Sequence, residues 1–506
     1  MSDSAPSPAQ PYDLLIVGGG VNGAGIARDA VGRGASVLLV EQDDLASYTS
    51  SASTKLIHGG LRYLEYYEFR LVREALTERE RLLAMAPHIM WPMRFVLPHS
   101  KLVRPAWMLK AGLFLYDHLA SNMTLPKSRA VDFRTHSSGR PLKPEYTKGF
   151  VYSDGWVQDS RLVVLNALDA AERGAEIRTR TRLIKADRVN GVWEAVLEDR
   201  VTGTTSTVRA RALVNAAGPW VAKLLSETLQ IPNSKSVRLV KGSHIIVPRV
   251  FEGPQAYIFQ NPDKRIVFAI PYEQNYTLIG TTDIPWKEAP GTVGIAPDEV
   301  TYLCESVNRY FQTEVKESDV VWSYAGLRPL YDDASANASA VTRDYVLDLD
   351  TTDGAPLLSI FGGKITTYRK LAEHALEKLA PVLPVVAGAS WTASEVLPGG
   401  DIGEGGFAGA LARLRRAAPW LPEQLAWRLM RNYGSRAYEI IGEAASMQDM
   451  GELLGGDLTT REVDYLIGKE WARAPEDVLW RRSKMGLHLN AAEKNAVADY
   501  VKKKVA

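Results

Sequence analysis

The sequence has very little cysteine: Cys304 is the one thiol in 506 residues. A single cysteine excludes an internal disulfide framework and the paired thiols of a disulfide reductase, and it fits a reducing cytosolic compartment. Val300, Leu303 and Val307 recur around Cys304 at helical spacing. We therefore expect this thiol to lie in the core, on a helix.

Net charge and long apolar runs are lacking too. Lys and Arg number 60 and Asp and Glu 59, so a net charge of +1 creates no overall field that attracts nucleic acid. No apolar run reaches the roughly 18 residues that a membrane-spanning helix needs. Residues 1–11, rich in Ser, Pro and Ala, lack the pattern of a signal peptide and predict a disordered tail. No nucleic-acid partner, metal site or membrane-spanning helix is predicted.

What the sequence does contain, near its start, is a strand followed by closely spaced glycines. The apolar run 12–17 is typical of a buried parallel strand, and the pattern at 22–33 predicts a helix. Gly18 permits a tight turn, Gly20 lets the backbone approach a pyrophosphate, and Gly23 lets the helix pack closely on the strand. The helix N-terminus offers the pyrophosphate free N–H groups and a partial positive charge.

A second apolar run, 35–40, ends in the acidic residue Glu41. A carboxylate about twenty residues after the glycine turn can accept hydrogen bonds from an adenosine ribose, and it repels a 2′-phosphate. The sequence therefore predicts FAD or NAD and excludes NADP. The glycine turn itself does not choose between FAD and NAD.

Four segments of the chain match one known family. They are the glycine turn, TSSASTKLIHGGLRYL at 49–64, VKGSH at 240–244 and FGGKITTYR at 361–369. Together they resemble the FAD-dependent aerobic glycerol-3-phosphate dehydrogenases, which are membrane-associated and reduce a quinone. The resemblance implies FAD as cofactor, sn-glycerol 3-phosphate as substrate, dihydroxyacetone phosphate as product and a quinone as electron acceptor.

The resemblance also implies a fold, and the patterning of the chain gives its boundaries. We expect an α/β protein with a glutathione-reductase-like FAD-binding Rossmann domain, a mixed β-sheet substrate domain and an all-helical C-terminal domain. The expected segments are a tail at 1–11, the FAD domain at 12–236, a substrate-binding β domain at 237–355, a return to the FAD domain at 356–388 and the helical domain at 389–506. Within the FAD domain we expect a helical insertion at about 65–130, which is the candidate membrane-facing part.

Oxidising an alcohol phosphate with a flavin requires a cationic phosphate pocket and a group that orients the alcohol or takes its proton. By resemblance, Arg62, Arg328, Arg343 and Lys364 surround the substrate, and a guanidinium fork matches the oxygens of a phosphate. His244 is the candidate base because its pKa can lie near the working pH. Two alternatives stay open: His244 only hydrogen-bonds beside the site, or Lys364 acts by holding the alkoxide.

Two glycines before a helix, Gly362 and Gly363, predict contact with the flavin ring. A helix N-terminus there would stabilise the negative charge that reduction places on the ring. Ile365 and Thr366 follow directly and are predicted ring contacts. By resemblance, Ser51, Ser53 and His58 lie near the pyrophosphate and the flavin ring. Gly218 follows a strand that ends in small residues, which allow close approach to a cofactor, and we expect Gly218 at the adenosine end.

The segment 91–116 contains no acid and interleaves cations and aromatic residues with a dense apolar run. This chemistry is typical of an interfacial membrane anchor that does not span the bilayer. The alternative is a core helix of the inserted subdomain. The residues predicted to face the bilayer are Trp91, Arg94, Lys101, Arg104, Trp107, Lys110 and Phe114.

The leading hypothesis is thus a quinone-reducing enzyme at the cytoplasmic face of the inner membrane. A flavoprotein oxidase of the same fold that uses oxygen is one alternative, and a flavin-binding, membrane-docked redox sensor without enzymatic activity is another. The family expectation is a homodimer.

Overall fold

The computed structural model describes residues 10–100, 105–232, 235–332 and 344–505. The strands in these ranges are β1 (Tyr12–Val17), β2 (Val37–Val40), β3 (Leu56–Ile57), β4 (Met90–Pro98), β5 (Arg129–Asp132), β6 (Lys148–Val157), β7 (Glu176–Arg178), β8 (Thr181–Val189), β9 (Val192–Asp199), β10 (Thr205–Asn215), β11 (Val237–Pro248), β12 (Ala256–Gln260), β13 (Ile266–Tyr272), β14 (Tyr276–Gly280), β15 (Ile284–Trp286), β16 (Trp322–Tyr331), β17 (Val346–Asp350), β18 (Leu357–Phe361), β19 (Leu453–Gly455) and β20 (Leu458–Thr459). The helices are α1 (Val21–Gly32), α2 (Phe69–Met85), α3 (Ala106–Tyr116), α4 (Asp159–Glu172), α5 (Val221–Lys223), α6 (Pro297–Asn308), α7 (Tyr368–Leu379), α8 (Gly406–Ala417), α9 (Glu423–Tyr433), α10 (Ala437–Ile441), α11 (Thr460–Glu470) and α12 (Ala491–Val505).

The first sheet has the order β17-β18-β10-β1-β2-β7, and β18, β10, β1, β2 and β7 run parallel. The hairpin of β8 and β9 joins this sheet through β9, which pairs antiparallel with the first half of β10. Leu14, Leu15 and Ile16 of β1 are fully buried, because helices cover one face and further strands cover the other. Helix α1 packs between α4 and α7 on that helical face. This is the arrangement that the strand, glycine turn and helix pattern predicts.

The second sheet has the order β15-β11-β14-β13-β12-β4-β6-β3, with β16 paired to β11 and β5 to β6. It corrects two of the expected boundaries. The insertion expected at about 65–130 is not only helical, because β4 lies in it, β5 begins at its end, and both join the second sheet. Strand β17, expected in the substrate domain, pairs with β18 in the first sheet. The pairing of β4 with β12 joins distant parts of the chain, so local patterning did not reveal it, whereas β17 and β18 are neighbours in sequence and form a hairpin across the expected boundary at 355.

The C-terminal region forms its own apolar core from α8 to α12, with Leu414, Leu429, Leu466 and Val497 fully buried. The short antiparallel hairpin of β19 and β20 is the one departure from the all-helical expectation for the described part of this region. Within the described ranges, no helix is long and apolar enough to cross a bilayer. Cys304 is buried on α6, as its spacing predicts.

Candidate active site

A cavity of about 830 Å³ opens between the two sheets. Its size is within the range of cofactor and ligand pockets. Most of the site residues predicted from sequence line it: Gly18, Gly20, Glu41, Ser53, His58, Arg62, Gly218, His244, Arg328, Gly362, Gly363, Lys364, Ile365 and Thr366. Arg343 lies outside the described residues. Gly23 and Ser51 are described but do not line this cavity.

The glycine turn shows why each glycine is needed. Gly18 has a φ of +117°, and a Cβ there would lie 2.5 Å from the carbonyl oxygen of Ala216. A Cβ on Gly23 would lie 2.0 Å from the carbonyl oxygen of Gly18, so Gly23 permits the close packing of α1 on the turn. Gly20 is the N-cap of α1 and faces the cavity. The helix therefore begins with its N-terminal backbone N–H groups beside the cavity.

The serine nearest to that helix start is Ser50, which sequence reasoning missed. Its Oγ accepts the backbone N–H of Val21 at 3.0 Å, and Ser50 lines the cavity. Ser51 instead turns toward a second cavity of about 310 Å³ on the other side of the loop. Ser53 donates to Asp159 at 2.8 Å. Because the serines are adjacent, their spacing alone could not show which of them faces the helix.

Glu41 directly follows β2 and is buried beside the glycine turn. One of its oxygens accepts the N–H of Gly19 at 2.7 Å, and the other accepts the N–H of Asp43 at 2.9 Å. Burial raises the pKa of Glu41 to about 7, although these two hydrogen bonds favour the ionised form. Glu41 is therefore placed to receive a ribose, and its charge depends on pH in the neutral range.

The predicted flavin-ring residues surround the start of α7. Gly362 and Gly363 have φ values of +84° and +108°, which favour glycine. Asn22 of α1 donates through Nδ2 to the carbonyl oxygen of Gly362 at 3.2 Å, and no residue with a described position donates to its buried Oδ1. Thr366 accepts the backbone N–H of His58 at 3.3 Å. A buried acceptor without a partner beside a glycine cradle fits a bound flavin, and it adds Asn22 to the candidate site.

His244 lies on β11, and its ring stacks on that of Tyr324 with 4.7 Å between centroids. Its Nε2 is 3.0 Å from Oγ1 of Thr54, and its Nδ1 is buried with no hydrogen-bond partner in the described ranges. Burial, and then the charges of Lys55 and Arg328, hold the pKa of His244 well below its ordinary value. The ring is therefore neutral at physiological pH and is able to accept a proton.

Arg328 lies on β16 opposite Val240 of β11, and its charge is near enough to lower the pKa of His244. Its Nη2 donates to the carbonyl oxygen of Thr282 at 2.9 Å and to Asp283 at 3.1 Å. A Cβ on Gly242 would lie 2.8 Å from the same Nη2 atom, so this glycine leaves room for the guanidinium. The VKGSH segment thus supplies two parts of the site, which are His244 itself and Gly242, the glycine that leaves room for Arg328.

Two further cations face the same space. Arg62 lies on a 3-10 helix, Leu61–Tyr66, and its Nε is buried without a hydrogen-bond partner among the described residues. Lys364 is 4.2 Å from the ring centroid of Tyr63, a cavity residue that the sequence did not single out. Among the residues with described positions, neither Arg62 nor Lys364 forms an ion pair. Their charges are therefore available to an anionic ligand.

The segment 91–116, which the sequence predicts to contact a membrane, divides into two parts. Trp91 and Arg94 lie on β4 in the second sheet, where Trp91 packs on Trp156 and Arg94 donates to the carbonyl oxygen of Pro126 at 2.6 Å. Both side chains are half-buried and have partners within the protein, which argues against the prediction that they face the bilayer. Lys101 and Arg104 lie outside the described residues.

The second part of the segment is α3, which does present an exposed apolar face. Trp107 and Phe114 are 71% and 62% exposed, and Lys110 is exposed between them. The 3-10 helix that carries Arg62 packs against α3 and adds further exposed aromatic residues. We define the α3 surface as Tyr66, Tyr67, Phe69, Trp107, Met108, Lys110, Phe114 and Leu115.

The fold and the cavity define an oxidoreductase that binds FAD. The chain matches the family described as FAD dependent oxidoreductase over residues 13–369 and the C-terminal domain of alpha-glycerophosphate oxidase over residues 390–505. It belongs to the FAD-dependent glycerol-3-phosphate dehydrogenase family. Its cofactor is FAD, which resolves the choice that the glycine turn left open.

Individual relatives agree with this assignment. The chain is 54% identical to a glycerol-3-phosphate dehydrogenase of Pseudomonas aeruginosa, over 98% of this chain and 96% of the relative. It is 52% identical to the aerobic glycerol-3-phosphate dehydrogenase of Escherichia coli, over 97% of both chains. It is also 52% identical to the D-erythritol 1-phosphate dehydrogenase of Brucella abortus, over 96% and 97%. A solved glycerol-3-phosphate dehydrogenase of Bacillus halodurans complexed with FAD has a TM-score of 0.78 at 30% identity, covering 98% of this chain and 91% of that one. These matches confirm the expected fold class and family.

Proposed function

We propose that the protein oxidises sn-glycerol 3-phosphate to dihydroxyacetone phosphate and passes the electrons to a membrane quinone. The observation that supports the chemistry most directly is a single cavity shared by the glycine cradle at 362–363 and by Arg62, Arg328 and Lys364. Relatives named for the same reaction, at 52% and 54% identity, support the substrate. When bound, FAD supplies the hydride acceptor and the route for electrons to the quinone.

The three cations would bind the phosphate dianion. The buried Nε of Arg62 has no partner in the part of the chain that the structure describes, and a phosphate oxygen would supply an acceptor for it. Lys364 is held over Tyr63 and adds a point charge on the flavin side. Arg328, fixed between Thr282 and Asp283, orients the substrate beside His244. Phosphate binding in this pocket positions the secondary alcohol between the base and the flavin.

His244 would take the proton of the alcohol. The neutral ring is a proton acceptor, but its depressed pKa makes it a weak base in the absence of substrate. A bound phosphate dianion would offset the charges of Lys55 and Arg328 and raise the pKa of His244. Substrate binding would therefore strengthen the base that the reaction needs. Lys364 is the alternative group at this step, as the cation that stabilises the alkoxide.

The α3 surface is the proposed contact with the bilayer. Aromatic rings, aliphatic side chains and a lysine at one surface are the combination that binds at the level of the lipid headgroups. The 3-10 helix Leu61–Tyr66 has Arg62 and Tyr63 on the cavity and Tyr66 on this surface. Membrane contact would thus bring the cavity close to a lipid-soluble quinone at the cytoplasmic face of the inner membrane. The homodimer stays a prediction from the resemblance.

The decisive experiment mixes the FAD-loaded protein with sn-glycerol 3-phosphate without oxygen and follows the flavin absorbance band. We expect rapid bleaching, and recovery of the band when a quinone is added. Absence of bleaching would favour the redox-sensor alternative. Peroxide formation in air at the rate of turnover would favour the oxidase.

D-erythritol 1-phosphate needs the same measurement, because a relative that bears its name is as similar as the glycerol-3-phosphate dehydrogenases. We expect a higher kcat/KM for glycerol 3-phosphate. The opposite ratio would change the proposed substrate and leave the proposed chemistry intact.

A further inference from the structure

The loop that follows Glu41 has two sides. Glu41, Gln42 and the segment 46–48 line the FAD cavity, whereas Asp44 does not. Asp44 is fully buried on the opposite side of the loop, against the C-terminal domain. A carboxylate with no exposure to water requires compensating charges.

Those charges come from a π-helical turn of the C-terminal domain, Asp477–Arg482. Arg482 binds both oxygens of Asp44, at 2.5 and 2.8 Å, and is itself fully buried. Arg481 donates through Nε to Asp44 at 2.5 Å. Burial opposes ionisation of Asp44, but the two guanidinium groups outweigh it and lower the pKa of the carboxyl. The contact is therefore a charged, bidentate link between the two domains.

A second ion contact ties the same turn to the first sheet. Asp477 accepts from Arg180 at 2.9 and 3.0 Å, and the backbone N–H of Arg180 donates to the carbonyl oxygen of Asp43 at 2.8 Å. Both Asp43 and Asp44 are thus connected to the C-terminal domain. The C-terminal domain therefore restrains the loop at two successive residues.

The restraint continues from the loop to the glycine turn. The backbone N–H of Ala46 donates to the carbonyl oxygen of Gly19 at 3.1 Å, and the N–H of Gly19 donates to Glu41 at 2.7 Å. The loop therefore holds Gly19 through both of its backbone polar groups. A shift of Asp44 would move the groups that contact the ribose and the pyrophosphate.

We infer that the C-terminal domain is a positioning element for FAD, acting through Asp44, Arg481 and Arg482 on the loop at the adenosine end of the cavity. A loop fixed before the cofactor arrives loses little conformational entropy on binding, so the cofactor is held more tightly. This inference depends on FAD as the cofactor and not on the proposed substrate, so its test and the test of the proposed function fail separately.

The test compares Asp44→Asn with Asp457→Asn in the full-length, FAD-loaded protein. Asp457 also pairs with an arginine, Arg428 at 2.7 Å, but both partners of that pair lie within the C-terminal domain. We expect Asp44→Asn to accelerate FAD release at least about tenfold, measured by the rise of flavin fluorescence, and Asp457→Asn to leave release unchanged. Turnover per bound FAD and the KM for glycerol 3-phosphate should stay the same in both variants.

Arg481→Gln provides a second variant if Asp44→Asn does not fold, because Arg481 is partly exposed and shares Asp44 with Arg482. Because the coupling is reciprocal, bound FAD should also stabilise the C-terminal turn. We expect FAD to slow hydrogen exchange of the amides at 477–482 in the wild type. The slowing should be much smaller in Asp44→Asn and in Arg481→Gln. Unchanged FAD release in both of these variants would overturn the inference. So would equal acceleration by Asp457→Asn, or exchange at 477–482 that does not respond to FAD.

Discussion

The hydroxyl of Tyr116 accepts the backbone N–H of Gly59 at 2.7 Å. Tyr116 is the last residue of α3, and Gly59 precedes the 3-10 helix that carries Arg62. The same hydroxyl donates to Asp154 at 2.7 Å, and Arg79 donates to that carboxylate at 2.9 Å. A buried polar network therefore joins the exposed helix α3 to the loop that lines the cavity.

Replacing Tyr116 by Phe should raise the KM for glycerol 3-phosphate several-fold while FAD stays bound. The change removes the hydroxyl that accepts the Gly59 N–H and leaves Gly59 only a longer contact, 3.4 Å to Asp154, which loosens the loop that positions Arg62. Steady-state kinetics and the ratio of flavin to protein measure the two effects. Tyr146→Phe is the control, because that hydroxyl donates to the carbonyl oxygen of Arg309 away from the cavity. Equal KM values for the two variants would contradict the role of Tyr116.

FAD binding should weaken as the pH falls through about 7, because burial raises the pKa of Glu41 to about 7 in the FAD-free site. The ribose hydroxyls need an ionised acceptor, so protonation of Glu41 competes with FAD. Below this pKa the affinity should fall by up to about tenfold per pH unit. Titration of the FAD-free protein by flavin fluorescence from about pH 8.5 to about pH 5.5 measures the effect. Glu41→Gln should bind FAD less tightly at high pH and lose this pH dependence, and a retained slope would assign it to another group.

Replacing His244 by Asn should lower kcat by about 10²- to 10⁴-fold with FAD still bound. With saturating FAD, protonation of His244 should not lower kcat/KM of the wild type between pH 8 and about 6.5, because the pKa of His244 in the folded protein lies well below the ordinary value. Protonation disables the base only at lower pH. The same measurements on Lys364→Met distinguish the two candidates. A larger loss of kcat there, with His244→Asn nearly as active as wild type, would transfer the role to Lys364.

Replacing Trp107 and Phe114 together by Glu should abolish flotation with liposomes and leave the activity with a soluble electron acceptor intact. Both side chains are largely exposed and lie outside the cavity lining. Leu113 is unsuitable for this test because it is buried in the core. Val201→Glu is the control, since Val201 is 73% exposed on a hairpin of the first sheet. Undiminished flotation of the double variant would rule out α3 as the anchor.

The local parts of the site could be predicted, and the parts built from distant segments could not. The β1 strand, the glycine turn and Glu41 lie within 30 residues, where strand periodicity and turn chemistry decide the structure. The positions of Trp91 and Arg94 depend on β4 pairing with β6 and β12, which nothing in the run MWPMRFVLP indicates. The choice of Ser50 over Ser51 depends on which side of a loop each serine occupies. Both arrangements depend on how the whole chain packs, which local sequence patterns do not show.

The hydrogen bond from Asn22 to Gly362 joins residues 340 positions apart, and β18 fills the place between β10 and β17 in the first sheet. During synthesis the N-terminal turn leaves the ribosome long before the strand that completes its sheet. The flavin cradle therefore cannot close until at least residue 363 has emerged, and the contacts from Arg481 and Arg482 come later still. Newly made chains pass most of their elongation without a finished cofactor site, so capture of FAD is a late step in maturation.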